Sequence, residues 1–422
     1  MHVMVLGAGV TGVTTAWYLL EAGFDVTVVE RCEGPAQETS QANGGQVSIS
    51  HPEPWSSPEA PMIAFKSLLQ RNGPLRIGFG TDMARWRWLL SFLRECLPSR
   101  HWRNAHAIAT LASHSGQCLK ALRERTGIRY AHAEKGILHL FYSQGEVDRL
   151  ADKVRFLSHH GIAARVVTPR ECVSIEPALT HIAPYLAGAL YAPDDESGDA
   201  RLFTEELAKL AAARGARFLY DTKITRLVRS EEGIQAIETL GPDGQRQQLR
   251  ADAYVACLGS LGTALLAEVA PRLPVYPVKG YSVTVPIRHP EAVTRVSLTD
   301  ESRRIVCSRL DDRLRVAGTA EVVGFDMAIH EHRCEPLLEW IEALFPGATD
   351  TKDATLWAGL RPCTPAYVPI IGRSTVNRLW LNTGHGSLGW TLSCGSADLV
   401  ARLLRGETDP LPGFPQWHNK PG

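Results

Sequence analysis

Apolar positions open the chain as a short run, His2 to Leu6 (HVMVL), then pass through a glycine turn into a helical stretch from Val10 to Ala22. A second short run follows at Asp25 to Val29 (DVTVV). Runs of this length bounded by turn residues predict buried strands, so the pattern predicts a βαβ unit at the start of the sequence. From Gly34 to about Pro61 the periodicity stops in a stretch rich in Ser, Gly, Gln and Pro, too long for an ordinary βα connection and therefore expected to be a functional loop. Helices are predicted from about Asp82 to Arg125, a short hairpin at YAHAEKGILHLFY, and a helix around Gly145 to His160. A helix at Leu202 to Arg214 leads into strands at ARFLYD, TKITRLV and GIQAIETL, with GPDG as a turn. The apolar strand Ala253 to Leu258 ends at Gly259, and strands dominate from Val275 to Gly318. A helix near Pro336 to Leu344, a strand at LWLNT and a helix from about Leu388 to Leu404 complete the pattern.

One helix has two readings. In MARWRWLLSFLREC, Trp86, Leu89, Leu90, Leu93 and Leu97 share one face, while Arg87, Ser91, Arg94 and Glu95 share the other. Such a stripe packs into a core, or docks on a membrane surface or partner, where Trp flanked by Arg suits an interface.

Composition narrows the function classes. The 422 residues carry 45 Lys plus Arg against 45 Asp plus Glu, which leaves no net field for nucleic acid. Nine scattered cysteines without metal or redox spacing fit a reduced, cytosol-facing environment. No signal peptide is expected, and no apolar stretch reaches the roughly 18 residues of a bilayer span.

Gly7-Ala8-Gly9-Val10-Thr11-Gly12 is a GxGxxG placed between predicted strand and helix, the context that gives the motif meaning. Gly7 permits the tight turn, Gly9 admits a pyrophosphate to the backbone, and Gly12 lets helix and strand pack closely. The helix N-terminus offers N–H groups to the phosphates. Glu30, at the end of the second strand, is an acceptor for ribose hydroxyls and repels a 2′-phosphate, so FAD or NAD is indicated. A second match, Gly384 to Gly389 (GHGSLG), lacks the following strand and acid that would complete a second unit. It reads as a glycine-lined helix N-terminus able to accept an anion or the pyrimidine edge of a flavin, or as a simple turn. Arg361, before a proline at an apolar strand end, projects into a cavity to clamp a carboxylate or forms a structural salt bridge. Tyr276 and Tyr281 either supply hydroxyls to that cavity or are ordinary strand aromatics. His330-Glu331-His332 lacks metal-ligand spacing and no HExxH exists, so no metal site is expected. The absence of GxSxG leaves acyl transfer without support.

The opening through VVER, the loop ETSQANGGQ, the segments DDESGDARLF, YPVKGYSVTVPI and WAGLRPCTP, and WLNTGHGSLGWTLSCGS together resemble the bacterial D-amino acid dehydrogenases. These belong to the glycine oxidase and D-amino acid oxidase flavoprotein superfamily. The resemblance implies an α/β fold: a Rossmann-type FAD-binding domain (1–50, 193–272, 345–422) and a discontinuous α+β substrate domain on a mostly antiparallel sheet (51–192, 273–344). It implies noncovalent FAD and oxidation of a D-amino acid to an imino acid that water hydrolyses to a 2-oxo acid and ammonia. Electrons would pass to a quinone or other non-oxygen acceptor, with the enzyme soluble or peripheral on the cytoplasmic side of the inner membrane. Gly7, Ala8, Gly9, Val10, Thr11, Gly12, Glu30 and Arg31 would hold the adenosine half, with Ile224 and Gly259 beside adenine. Ser40, Asn43, Gly45 and Gln46 would meet phosphates and flavin, and Gly386, Leu388, Gly389, Trp390 and Thr391 the pyrimidine edge. Arg361 would clamp the substrate carboxylate, with Tyr281 as a catalytic and binding partner and His51 in the substrate pocket. Two departures bear on the substrate. Ala366, Tyr367 and Val368 interrupt the family's TPDGTP, and His51 replaces a common aromatic. An oxidase or dehydrogenase of a cyclic imino acid such as D-hydroxyproline is the enzymatic alternative, and a noncatalytic dinucleotide-binding subunit the alternative from another class.

Overall fold

The computed structural model describes residues 1–68, 73, 75–78, 80–269 and 273–417. The expected boundary at 272/273 therefore adjoins residues outside the described ones.

The predicted βαβ opening is present as strand His2–Leu6, helix Val10–Glu21 and strand Asp25–Val29. All but the first residue of each strand is buried, as parallel strands covered on both faces require. These strands centre a six-stranded sheet in the order 370–373, 379–383, 253–256, 2–6, 25–29, 217–219. It is parallel except at the Ile370–Arg373 edge. Its strands come from three separated stretches of sequence, so the nucleotide-type unit closes only when residues about 250 and 380 return to the first strand.

A nine-stranded sheet forms the second unit, with Thr355–Cys363 at one edge beside Tyr276–Pro286, then Arg313–Val322, Ile305–Leu310 and Ser297–Asp300. It is mostly antiparallel. Thr355–Cys363 falls in the stretch expected to join the nucleotide unit, yet it pairs with Tyr276–Pro286 over nine residues, so the second unit's sheet extends past 344. Its far face packs on helix Glu335–Leu344 through Tyr281, Val283, Leu337 and Trp340.

Four local expectations are corrected. Residues 130–136 form no strand, and Ile137–Phe141 pairs instead with Gly188–Ala192 and with Ser297–Asp300, so the hairpin is replaced by long-range pairing. The helix expected from 145 to 160 is two, Gln144–Val147 and Leu150–His159. The closing helix starts at Ser393, because Gly386–Leu388 takes a tight 3₁₀ turn first. Finally, helix Met83–Glu95 buries only Arg85 and Trp88, whereas Met83, Trp86, Leu90 and Leu93 are exposed. Of its apolar stripe only Leu89 packs against the core, and Trp86, Leu90, Leu93 and Leu97 stay exposed.

Candidate active site

A cavity of about 1210 Å³ runs from the first glycine turn to the face of the nine-stranded sheet, touched at one end by Gly7, Gly9 and Glu30 and at the other by Gly280 and Arg361. Gly7 has φ +100°, and a Cβ there would lie 2.8 Å from the Cys257 carbonyl oxygen. A Cβ at Gly12 would overlap the carbonyl oxygen of Gly7. Backbone therefore packs directly on backbone, and the turn stays open toward the cavity. Gly9 caps helix Val10–Glu21, and the Val10 amide donates to Ser40 Oγ at 3.1 Å. Glu30 accepts from the Ala8 amide at 2.7 Å and the Cys32 amide at 3.0 Å, which locks the second strand's end against the turn. A carboxylate has about four acceptor sites, so the ribose role predicted for Glu30 is still open to it. Arg31 pairs with Glu38 at the rim, while Thr11, Ile224 and Gly259 also face the cavity.

The long loop crosses between the sheets. Asn43 lines the cavity and accepts the Gly45 amide at 3.0 Å. Gly45 itself turns away from the cavity, where a Cβ would meet Ser308. Gln46 spends its amide group on Ser297, Leu298 and Thr299 of the large sheet, anchoring the loop.

The second glycine turn lines the opposite wall with Gly386, Leu388, Gly389, Trp390 and Thr391. His385 beside it is buried with only Ser396 Oγ at 3.1 Å, and burial pushes its pKa down to about 3, so the imidazole is neutral. Five buried polar atoms of cavity-lining residues, Trp390 Nε1, Asn382 Oδ1, Thr383 Oγ1, Thr319 Oγ1 and Glu53 Oε2, have no hydrogen-bond partner among the described residues. Each such atom costs about 1–3 kcal/mol when left alone. A long cradle shaped by glycines, with orphaned polar atoms in its walls, fits a dinucleotide carrying a polar ring system.

Arg361 sits where two strand glycines make room. Gly280 opposes Gly359 across the Tyr276–Pro286 and Thr355–Cys363 pair, with Val278 opposite Arg361. The guanidinium lies across Gly280, in the space that a Cβ would fill. Nη1 donates to the Thr319 carbonyl at 3.1 Å, and the Trp55 ring lies 5.6 Å from Cζ. Among the described residues no carboxylate pairs with Arg361, and burial holds its pKa below the ordinary arginine value. A half-buried cation with no carboxylate partner among the described residues, facing a cavity, is a binding site for an anion. Trp55 packs on Tyr367 with ring centres 5.1 Å apart and planes tilted by 30°, and Trp357 lies over Gly359, so aromatic rings cover part of the guanidinium. Gly280, Gly359, Trp55 and Trp357 lie in segments that carry the resemblance but were given no site role from the sequence, although glycine inside a strand is itself a sign of close approach.

Two site expectations do not fit this geometry. Tyr281 borders the cavity, but successive residues of a strand face opposite sides, and its side chain points away from the side on which Gly280 meets Arg361. Its hydroxyl donates to Glu321 Oε2 at 2.9 Å, inside a buried ion cluster in which Lys279 Nζ lies 3.3 Å from Glu321 and 2.9 Å from Asp326. Tyr276 likewise donates to Asp82, at 2.7 Å. His51 lines the cavity but meets Glu301, at 3.5 Å, not Arg361. Four strand steps separate the strand preceding Glu301 from that of Arg361, ~19 Å of sheet. Against the opposing effect of burial, His51, His139 and Lys153 hold the Glu301 carboxyl well below the usual range.

Comparison with known proteins agrees with this geometry. The model of the FAD dependent oxidoreductase family matches residues 2–403. A D-amino acid dehydrogenase of Dechloromonas aromatica is 44% identical over 415 residues, 98% of this chain and 99% of that one. D-amino acid dehydrogenase 1 of Mesorhizobium japonicum is 43% identical over 404 residues, 96% of each chain. Glycine oxidase from Geobacillus kaustophilus has the same fold, with a TM-score of 0.73 at 25% identity over 100% and 99% of the two chains. Since the family pattern runs from the first strand to the last helix, and the cradle it requires is built from this chain's own glycines, the chain belongs to the FAD dependent oxidoreductase family.

Proposed function

We propose that the protein is a D-amino acid dehydrogenase that binds FAD without a covalent link and oxidatively deaminates D-amino acids to 2-oxo acids and ammonia. Gly7, Gly9, Glu30, Ile224 and Gly259 would hold the adenosine half, and the 386–391 turn the flavin. When bound, FAD supplies at flavin N5 the two-electron acceptor for the hydride leaving the substrate α-carbon. Arg361 binds the substrate carboxylate and fixes the α-carbon, so that positioning supplies much of the rate. Trp55, Trp357 and Tyr367 cover part of that contact, and water hydrolyses the imino acid afterwards. Tyr281 is left out of the reaction and serves the ion cluster behind the sheet. The observation that carries this reading is the unpaired Arg361 guanidinium facing a cavity continuous with the dinucleotide cradle.

The exposed stripe of helix Met83–Glu95 supports a peripheral membrane role. Leu90 is 64% and Phe65, on helix Ala60–Leu68, 61% exposed, with Lys66, Arg87 and Arg94 alongside. Leu90, Leu93, Trp86 and Ile63 also line the cavity, so a quinone in the bilayer would enter there. No helix among the described residues is long and apolar enough to cross a membrane.

The test is anaerobic mixing of the yellow protein with a panel of D- and L-amino acids, sarcosine and hydroxyproline isomers. Bleaching by D-amino acids, with reoxidation faster by quinone than by oxygen, is expected. A colourless protein, or a flavin that no D-amino acid reduces, refutes the proposal. Leu90→Asp with Leu93→Asp is expected to abolish co-sedimentation with anionic vesicles, and unchanged sedimentation removes the membrane role.

A further inference from the structure

We propose that the crossing of helices Pro98–Thr126 and Ser393–Leu404 binds a divalent transition-metal ion of the zinc class, with His114, Cys118 and Asp398 as ligands. His114 and Cys118 stand four residues apart on the longer helix and so share one of its faces. Asp398 comes from the shorter helix, 284 residues along the chain from His114. A glycine brings the two faces together. A Cβ at Gly395 would lie 2.8 Å from Ser115 Cα, and the Gly395 amide donates to Ser115 Oγ at 3.0 Å. Ser115 adjoins His114, and Gly395 lies three residues before Asp398, so this backbone approach sets the ligands face to face.

The donor atoms already have near-coordination spacing. His114 Nε2 is 2.9 Å from Asp398 Oδ2 and 3.5 Å from Cys118 Sγ, and all three atoms lie within 4.8 Å of one another. Zinc bond lengths of about 2.3 Å to sulfur and 2.0–2.2 Å to nitrogen and oxygen give tetrahedral separations of ~3.6 Å for N···S and ~3.4 Å for N···O. The His114–Asp398 pair must open by ~0.5 Å, and the Cys118–Asp398 separation, up to 4.8 Å, must settle to ~3.6 Å. One His nitrogen meeting both a carboxylate and a thiol does not fit a catalytic triad, in which the acid binds the other ring nitrogen. A bound ion would replace the 2.9 Å His114–Asp398 hydrogen bond and take all three donors. His114 and Asp398 are 21% and 23% exposed, so an ion can enter. A water supplies the fourth position. Thiolate and carboxylate together balance a divalent charge. Arg402, 3.7 Å from Asp398, is held more closely by Glu407 at 2.8 Å. Binding displaces the Cys118 thiol proton and any proton on His114 to solvent, with no change in oxidation state. None of the three ligands lines the flavin cavity. The ion would clamp the helix that begins two residues after Thr391 to the long helix beneath it.

The test uses flavin-loaded, metal-stripped protein and cobalt(II) as the probe, because tetrahedral cobalt absorbs to the red of oxidised flavin. One cobalt per chain by equilibrium dialysis is expected, with that red absorption, a thiolate charge-transfer band and displacement by zinc. Outer-shell partners alone are worth ~10–100-fold in metal affinity, so Cys118→Ser and Asp398→Asn should each weaken binding by at least ~100-fold. Cys32→Ser, a partly exposed thiol elsewhere, should leave it unchanged. Flavin absorbance and circular dichroism certify folding, and if one variant fails to fold the other decides. No stoichiometric cobalt in the wild type, cobalt without the tetrahedral spectrum, or full binding by a folded Cys118→Ser overturns the site. The readout needs no substrate, so its failure is separable from failure of the D-amino acid reading.

Discussion

A single methyl group at Gly280 should separate Arg361 from its substrate. A Cβ built there lies 2.1 Å from Nη1, 2.2 Å from Cζ and 2.3 Å from Nη2 of Arg361, whereas ordinary contact begins at 3.4 Å. The guanidinium must lift by about 1.3 Å, the shortfall from 2.1 to 3.4 Å, and its 3.1 Å bond to the Thr319 carbonyl cannot follow unchanged. Gly280 is not in the left-handed region, so alanine adds no backbone strain. Because the displaced head can swing into the cavity, the loss of stability should be small. A hydrogen bond to a charged group is worth about 1.5–3 kcal/mol, and a 1 Å misplacement of a positioned group costs roughly 100-fold. Gly280→Ala should therefore lower kcat/KM for D-alanine by about 10–100-fold, with much of the loss in KM. The assay is steady-state dye reduction at matched flavin content, for D-alanine and for D-alaninamide, which lacks the carboxylate. The preference for acid over amide should shrink in the variant by the same factor. Wild-type kcat/KM for D-alanine in fully flavinated Gly280→Ala would refute the carboxylate clamp.

Four further outcomes follow from the geometry. Gly12→Ala forces a side chain onto the Gly7 carbonyl and should yield protein without flavin absorbance. Tyr281→Phe should leave KM for D-alanine unchanged while costing about 1.5–3 kcal/mol in urea unfolding, because its hydroxyl serves the Glu321 carboxylate. Lys279→Met removes one of the two buried cations beside Glu321, with Arg333 remaining at 3.1 Å, and should cost about 1–3 kcal/mol by the same measurement. For His385, the folded pKa of about 3 lies below the ordinary 6.5, so the unfolded state takes up its proton first and stability falls as pH drops below 6.5. At about 1.4 kcal/mol per pH unit, the wild type should lose about 2 kcal/mol more than His385→Gln between pH 6.5 and 5, read from urea midpoints.

The sequence by itself determined what local backbone chemistry dictates. Gly7, Gly9 and Gly12 between two apolar runs specify the dinucleotide turn, because only glycine tolerates those approaches, and Glu30 follows at the distance that the strand imposes. The arginine at 361 was legible as a charge in an apolar strand. Whether it was paired was not, since the space it occupies belongs to Gly280, 81 positions earlier in the chain. Tyr276–Pro286 is buried on both faces, so no alternation of polar and apolar residues told which side Tyr281 would take. Likewise, Ile137–Phe141 found partners at 188–192 and 297–300 instead of in a neighbouring hairpin. The stripe on Met83–Glu95 was evident, but its exposure depends on what the rest of the chain leaves uncovered. His114 and Cys118 meet Asp398 only because two helices remote in sequence touch at Gly395. Turns and periodicities are set by bonds within a few residues. Facing, pairing and burial are set by contacts that exist only once distant strands and helices have closed on one another.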